Sequence, residues 1–257
     1  MDNVEKRVSD FYRQYLKREP DSAGLQHILE LIKTNQIKIE DLPDMFKTSE
    51  EYNSLQLWNH ACVYTKNGTK MFINQNDHVI SKQLAFRYSY EEEEINFLKT
   101  KISPGMTVID IGANIGYHTL LFSKWVKPYG KIFAFEPDPT NFKLLKKNIT
   151  ANQIKNIVSF KNAVSDKNDK ISLFLSEDNS GDHRINDLLI FKNDNMRKKI
   201  GTHSVKLDSV FSKSQKIDFI KIDIQGSEIQ ALNGMQNILK NRKNSYFNDD
   251  SGPYNKT

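Results

Sequence analysis

The stretch Val108 to His118, VIDIGANIGYH, constrains this chain more than any other. An apolar run ends at Asp110, turns through Gly112, Ala113, Asn114, Ile115 and Gly116, and opens an amphipathic segment, which predicts a strand, a tight loop and a helix. Gly112 and Gly116 carry no Cβ, so a ligand can lie against the main chain and the turn can take positive φ. Such a loop is a nucleotide-type site. The GxGxxG spacing that seats a pyrophosphate is replaced by DxGANxG, so the expected ligand is smaller than a dinucleotide.

Downstream residues extend the same pattern. Leu120, Leu121, Trp125 and Val126 form a helix face, and Pro128 to Gly130 turns the chain into KIFAFE, giving a right-handed parallel crossover. Glu136 closes that strand 20 residues past Gly116. A carboxylate there can accept hydrogen bonds from both hydroxyls of a ribose. Asn141 to Ala151 reads as a helix and Ile157 to Lys161 as a third strand, with Asn162 at its end. Its amide can read an adenine edge or serve as a plain turn amide. Ile171 to Leu175 and Ser204 to Leu207 are predicted strands bracketing Ser180 to Arg184. Ile217 to Ile224 is a near-continuous apolar strand, and Asp223 sits at its carboxyl end, where open parallel sheets bind ligands. Glu228 to Lys240 is expected to be one helix with Ile229, Leu232, Met235 and Leu239 on one face.

VIDIGANIGYHT, FAFEPDP, NAVSD, KLDSV and FIKIDIQGSE, in this order across roughly Ser89 to Lys240, resemble the FkbM family of S-adenosylmethionine-dependent methyltransferases. The resemblance implies a class I methyltransferase fold, a Rossmann-like α/β domain with a parallel sheet, and S-adenosylmethionine as cofactor. It also implies methylation of a hydroxyl on a sugar, glycan precursor or secondary metabolite, with the insertion at Ser180 to Arg184 near the pocket mouth on the acceptor side. Asp110, Gly112, Ala113, Asn114, Gly116, Glu136, Asn162 and Ala163 are the expected cofactor-binding residues. Methyl transfer to a hydroxyl needs a group that takes the proton. Asp223, His118 and Glu228 are the candidates, with His183 behind them. Glu228 can instead cap its own helix, and His118 can be a packing residue. No ligand cluster at metal spacing stands out, so no metal is assigned. DIQG replaces the (D/N)PP(Y/F) pattern expected for methylation of an exocyclic amine, which argues against a nucleic-acid base as acceptor.

Residues 1–57 read as a small helical domain. Val8, Phe11, Tyr12, Tyr15 and Leu16 recur at helical spacing, Pro20 and Asp21 end that helix and cap the next, and Thr48 to Glu51 has a capping-box form. YRQYLKREPDSAGL with KTSEEY resembles a bacterial helical domain of unknown function similar to phycobilisome linker repeats. Docking of a protein partner, or packing, is its expected role. Residues 58–257 form the methyltransferase domain, with 58–89 a hairpin around Asn67-Gly68 and a lead-in. Glu91 to Glu94 read as first-turn charges of a helix whose Ile95, Phe97 and Leu98 cover the sheet.

The net charge of +5 comes from lysines interleaved with acids, the form of a solvated surface rather than a nucleic-acid patch. Arg197 to Lys199 read the same way. A single cysteine, Cys62, excludes an internal disulfide and a CxxC site. No apolar run reaches the roughly 20 residues of a membrane span, and MDNVEKRVSD has no apolar core of a secretory signal, so a cytoplasmic protein is expected. The NxT matches at Asn67 and Asn148 are then chance. After Lys240 the polar stretch NRKNSYFNDDSGPYNKT replaces the expected apolar strand. It predicts a truncated sheet with the Asp223 strand near an exposed edge, and allows an alternative: a non-catalytic remnant whose helical N-terminus is an interaction module.

Overall fold

A computed structural model describes residues 2–53, 62–185, 197–240 and 247–249. The chain divides into two compact units, Met1–Ala61 and Cys62–Thr257. In the first, helix Asp2–Phe11 runs into a π-helical turn, Tyr12–Leu16, and helices Ser22–Lys33 and Leu42–Thr48 follow. Val8, Tyr12, Leu16, Ile28, Leu42 and Phe46 form its core, with Tyr12 edge-on to Phe46. Asp21 caps the second helix through Gly24 N, and Arg18 clamps Glu51 with bonds of 2.6 and 2.9 Å. Ser49 rather than Thr48 receives the Tyr52 amide, because the Thr48 hydroxyl bonds back to Asp44 O.

In the second unit β1 (Cys62–Tyr64) and β2 (Lys70–Phe72) form an antiparallel hairpin. Helices Ile80–Arg87 and Glu92–Lys101 lead to β3 (Thr107–Ile111), helix Tyr117–Val126, β4 (Lys131–Phe135), helix Pro139–Ala151 and β5 (Ile157–Phe160). Then come β6 (Ala163–Val164), β7 (Asp169–Leu175), β8 (Lys198–Val205), a short helix Leu207–Val210, β9 (Phe219–Ile222), helices Glu228–Asn233 and Gln236–Lys240, and β10 (Phe247–Asp249). The main sheet has the order β10-β9-β3-β4-β5, all parallel, and β6-β8-β7 forms a second sheet. The chain builds outward from β3 to β5 and then returns to β9 on the other side of β3. The switch point, where such sheets hold ligands, therefore lies between the carboxyl ends of β3 and β9.

The polar tail supplies a strand after all. Phe247–Asp249 pairs in parallel with Ile220–Ile222, so β9 is internal to the sheet and the expectation of an exposed edge is corrected. Three consecutive residues suffice for a short strand when a neighbour offers open ladder groups, even without an apolar run. Other expectations change for local reasons. Phe97 and Ile229 are 47% and 72% exposed, because the faces that meet the sheet carry Ile95 and Leu98 in one helix and Ala231 in the other. The predicted Glu228–Lys240 helix breaks at Gly234, where a Cβ would overlap the carbonyl of Ser165.

Strand alternation sorts the two faces of the main sheet. Ile109, Ile111, Phe133, Phe135, Ile220 and Ile222 pack on one side with Val164, Leu207, Met235 and Ile238. Val108, Ile132 and Phe219 pack on the other with Leu98, Phe122 and Val126 of two helices. Asp110 and Lys221, which are cross-strand partners, share the parity of this second set.

Two asparagines, Asn148 in helix Pro139–Ala151 and Asn152 at its end, hold the hairpin to that helix. Asn148, fully buried, exchanges bonds with Phe72 N (2.6 Å) and Phe72 O (3.0 Å) and donates to Ile115 O (2.8 Å). Asn152, one turn on, does the same with Lys70 N and O. The two amides act as a substitute strand for alternate residues of β2, and burial leaves Asn148 no room for a glycan. Asn148→Ala would strand these backbone groups, at a cost of about 2–3 kcal/mol. Urea unfolding of the variant should show that loss; a change within about 0.5 kcal/mol would contradict the clamp.

Candidate functional site

A cleft opens at the switch point. Gly112 and Asn114 line it from the loop after β3, Glu136 and Pro137 from the end of β4, Asn162 and Ala163 from the segment after β5, and Asp223 from the end of β9. The loop is fixed by its neighbours. Gly112 N and Ala113 N both donate to Phe135 O at 3.0 Å, and Asp223 N donates to Ile111 O. Gly112 has φ +81°, and a Cβ there would overlap the Asp223 carbonyl. Only glycine fits both the conformation and the approach.

Glu136 is 4% exposed. Its Oε2 accepts from Asn114 N at 2.7 Å and its Oε1 from Asp138 N at 2.9 Å. Burial pushes its carboxyl up to about 8 against the opposing pull of those amides. Each carboxylate oxygen has further acceptor capacity, so two ribose hydroxyls can still be received. Apolar side chains of Ile111, Phe135, Val164 and Ile224 surround these polar groups. A buried acid with spare lone pairs, a bare backbone turn and an apolar lining fit a nucleoside-bearing cofactor such as S-adenosylmethionine.

The insertion reaches the cleft as expected, through Ser180, Gly181 and His183. Asn114, itself left-handed at φ 49°, donates its amide to Ser180 O at 3.0 Å. The Ser180 hydroxyl donates to Asp77, a buried acid that also accepts the amides of Val79, Ile80 and Ser81. His183 accepts Ser176 N on Nδ1, and burial lowers its pKa. Arg197 is not a solvated charge: its side chain is 11% exposed and meets Asp182 at 2.6 Å. This anchoring was not legible, because its acid lies 15 residues away.

Other predicted site residues stand apart from the cleft. Asp110 is buried below the loop, accepting the Thr119 hydroxyl, and burial raises its carboxyl. Ala113 packs on Ala134 and Leu145, and a Cβ on Gly116 would come within 2.6 Å of Leu145 Cδ1, so both serve the fit of helix Pro139–Ala151. Glu228 accepts Gly226 N at 3.0 Å, closing the loop before its helix. His118 is 8% exposed between the rings of Tyr117 and Phe122. Burial, with Lys221 nearby, holds its pKa well below the ordinary value. Asp223, unlike these, lines the cleft; a quarter exposed, it accepts from Lys221 Nζ and Gln225 Nε2, each at 3.1 Å.

Lys221 was missed. It reads as an interruption of an apolar strand, yet it is 2% exposed. Burial alone would lower its pKa, but the carboxylates of Asp223, Asp110 and Glu94 outweigh that and hold it raised. Glu91 reads in the sequence as a first-turn charge of its helix. It instead precedes helix Glu92–Lys101 in a left-handed conformation, and burial raises its carboxyl.

Among the described residues no helix is long and apolar enough to cross a membrane. No curated protein matches the chain. Solved structures similar to it include Trm5b from Pyrococcus abyssi, with 23% identity over 39% of this chain and 28% of that one, TM-score 0.31. An rRNA methylase from Streptococcus thermophilus has 12% identity over 59% and 63%, TM-score 0.35. A SAM-dependent methyltransferase from Aquifex aeolicus has 17% identity over 63% and 69%, TM-score 0.33. This chain thus spans less than two thirds of the Pyrococcus and Streptococcus chains. The model of protein-L-isoaspartate(D-aspartate) O-methyltransferase matches residues 25–167, and that of the methyltransferase FkbM domain matches residues 110–245. Both include the loop, Glu136 and Asn162. The FkbM match runs on through β9 and Asp223, and on it the chain belongs to the FkbM family of S-adenosylmethionine-dependent methyltransferases.

Proposed function

We propose that this protein methylates a hydroxyl oxygen of a sugar, glycan precursor or secondary metabolite, with Asp223 beside the reacting oxygen. The observation that carries the reading is the convergence of Gly112, Asn114, Glu136, Asn162 and Asp223 on one cleft at the switch point. S-adenosylmethionine, when bound, supplies a methyl group on a sulfonium and leaves as S-adenosylhomocysteine. Glu136 holds the ribose, the main chain at Gly112 and Asn114 the polar end, and Asn162 with Ala163 the base. Asp223 is fixed by Lys221 and Gln225, which hold its carboxylate in one orientation while leaving lone pairs for an acceptor hydroxyl. That carboxylate would take the proton of the acceptor hydroxyl, and bound S-adenosylmethionine would supply the methyl group. Holding oxygen and methyl in line supplies several kcal/mol more.

The acceptor class is tested by offering methyl-labelled S-adenosylmethionine to pools of hydroxylated sugars, glycan precursors and small metabolites, to RNA and to peptides. An alkali-stable methyl ether on the small acceptors is expected. Label in RNA, or an alkali-labile methyl ester on peptides, would overturn the acceptor assignment.

Two substitutions test the residues. With Asp223→Asn, turnover should fall by about 10²–10⁴ while affinity for S-adenosylhomocysteine stays within about threefold; unchanged turnover would remove Asp223 from the chemistry. Glu136 is protonated in the free protein below about pH 8 and must be ionised to accept two hydroxyl donors. Affinity for S-adenosylhomocysteine should therefore fall as pH drops below 8, by up to about tenfold per unit. Glu136→Gln should abolish this slope and weaken binding at pH 9 by about tenfold or more. A flat wild-type profile between pH 6 and 9 would contradict the ribose role.

A further inference from the structure

Below the cleft, on the sheet face that carries Asp110 and Lys221, the carboxylates of Glu91 and Glu94 and the imidazole of His118 converge. One ligand atom from each lies within 4.8 Å of the others. Glu91 and Glu94 stand at the start of helix Glu92–Lys101, and His118 in the first turn of helix Tyr117–Val126. His118 is more than nine-tenths buried, and its Nε2 has no hydrogen-bond partner among the described residues. The buried Oε2 of Glu91 likewise has none. These two atoms face each other at 3.7 Å, too far for a hydrogen bond. Two ligands bonded at about 2.1 Å to one tetrahedral ion stand about 3.4 Å apart. The pair is therefore spaced for a shared cation.

We propose that Glu91, Glu94 and His118 bind a divalent cation of the zinc type, linking the lead-in helix to the helix that follows the cofactor loop. Two carboxylates and one imidazole are a mixed oxygen and nitrogen donor set, which favours Zn²⁺ over the all-oxygen ion Mg²⁺. Lys221 is the ammonium facing the carboxyl groups of Asp110, Asp223, Glu94 and Glu91. The signal in the sequence was masked: Glu91 and Glu94 sit in a run of four glutamates, and His118 lies 24 residues after Glu94. Only the packing of two helices on one sheet face joins them.

The test is calorimetric titration of the chelator-stripped 257-residue protein with Zn²⁺ and, separately, Mg²⁺, in the wild type and in Glu91→Gln and His118→Gln. S-adenosylhomocysteine binding and cooperative thermal unfolding serve as checks that each variant folds. One Zn²⁺ per chain is expected, bound at least a hundredfold more tightly than Mg²⁺ and weakened at least tenfold by either substitution. The substitutions lie in different helices, so either one that folds is decisive. Absence of Zn²⁺ binding, or binding unchanged in a folded variant, as Cys62 or a surface histidine would give, overturns the proposal.

Discussion

The second unit depends on the close approach of two strand ends. The turn after β3 is held on one side by the Phe135 carbonyl, which receives the amides of both Gly112 and Ala113, and on the other by the Asp223 carbonyl lying where a Cβ of residue 112 would be. This pinning makes the switch point a rigid seat. Main-chain bonds to β4 and β9 thus fix the turn between Glu136 and Asp223. Asn114 extends the same restraint outward, joining the loop to Glu136 through its amide and to Ser180 through its side chain.

The two faces of the sheet do different work. One is an apolar layer built from Ile109, Ile111, Phe133, Phe135, Ile220 and Ile222. The other carries an apolar floor at one end and, toward the carboxyl ends of the strands, the paired Asp110 and Lys221. A buried ammonium costs several kcal/mol unless carboxylates surround it. Lys221 is so surrounded, and in turn it orients Asp223 at the cleft. The charged face thus supports the cleft from beneath, through the contact of Lys221 with Asp223.

Much of this was legible because it is local. The strand, loop and helix from Val108 to Val126, the acid at Glu136 and the amide at Asn162 follow from spacing along one chain segment. Beyond the local changes at Phe97, Ile229 and Thr48, the features that were not legible require a partner distant in sequence. Asn148 stands in the sequence only as a chance NxT match until β2, 76 residues earlier, is laid beside it. Arg197 reads as solvated until Asp182 meets it, and Glu91 as a first-turn charge until His118 is packed against it. Phe247 to Asp249 carries no strand pattern of its own; the open edge of β9 supplies the ladder. Period and capping reveal which elements form, whereas the identity of cross-element partners emerges only from topology.

Calorimetric titration of the 257-residue chain with S-adenosylhomocysteine tests the central claim most directly. A site assembled from the pinned loop, Glu136 and Asn162 predicts one binding event per chain with a dissociation constant at or below about 10 μM, near −7 kcal/mol. A chain that unfolds cooperatively and yet shows no binding at millimolar ligand would contradict the account of the cleft as a cofactor seat.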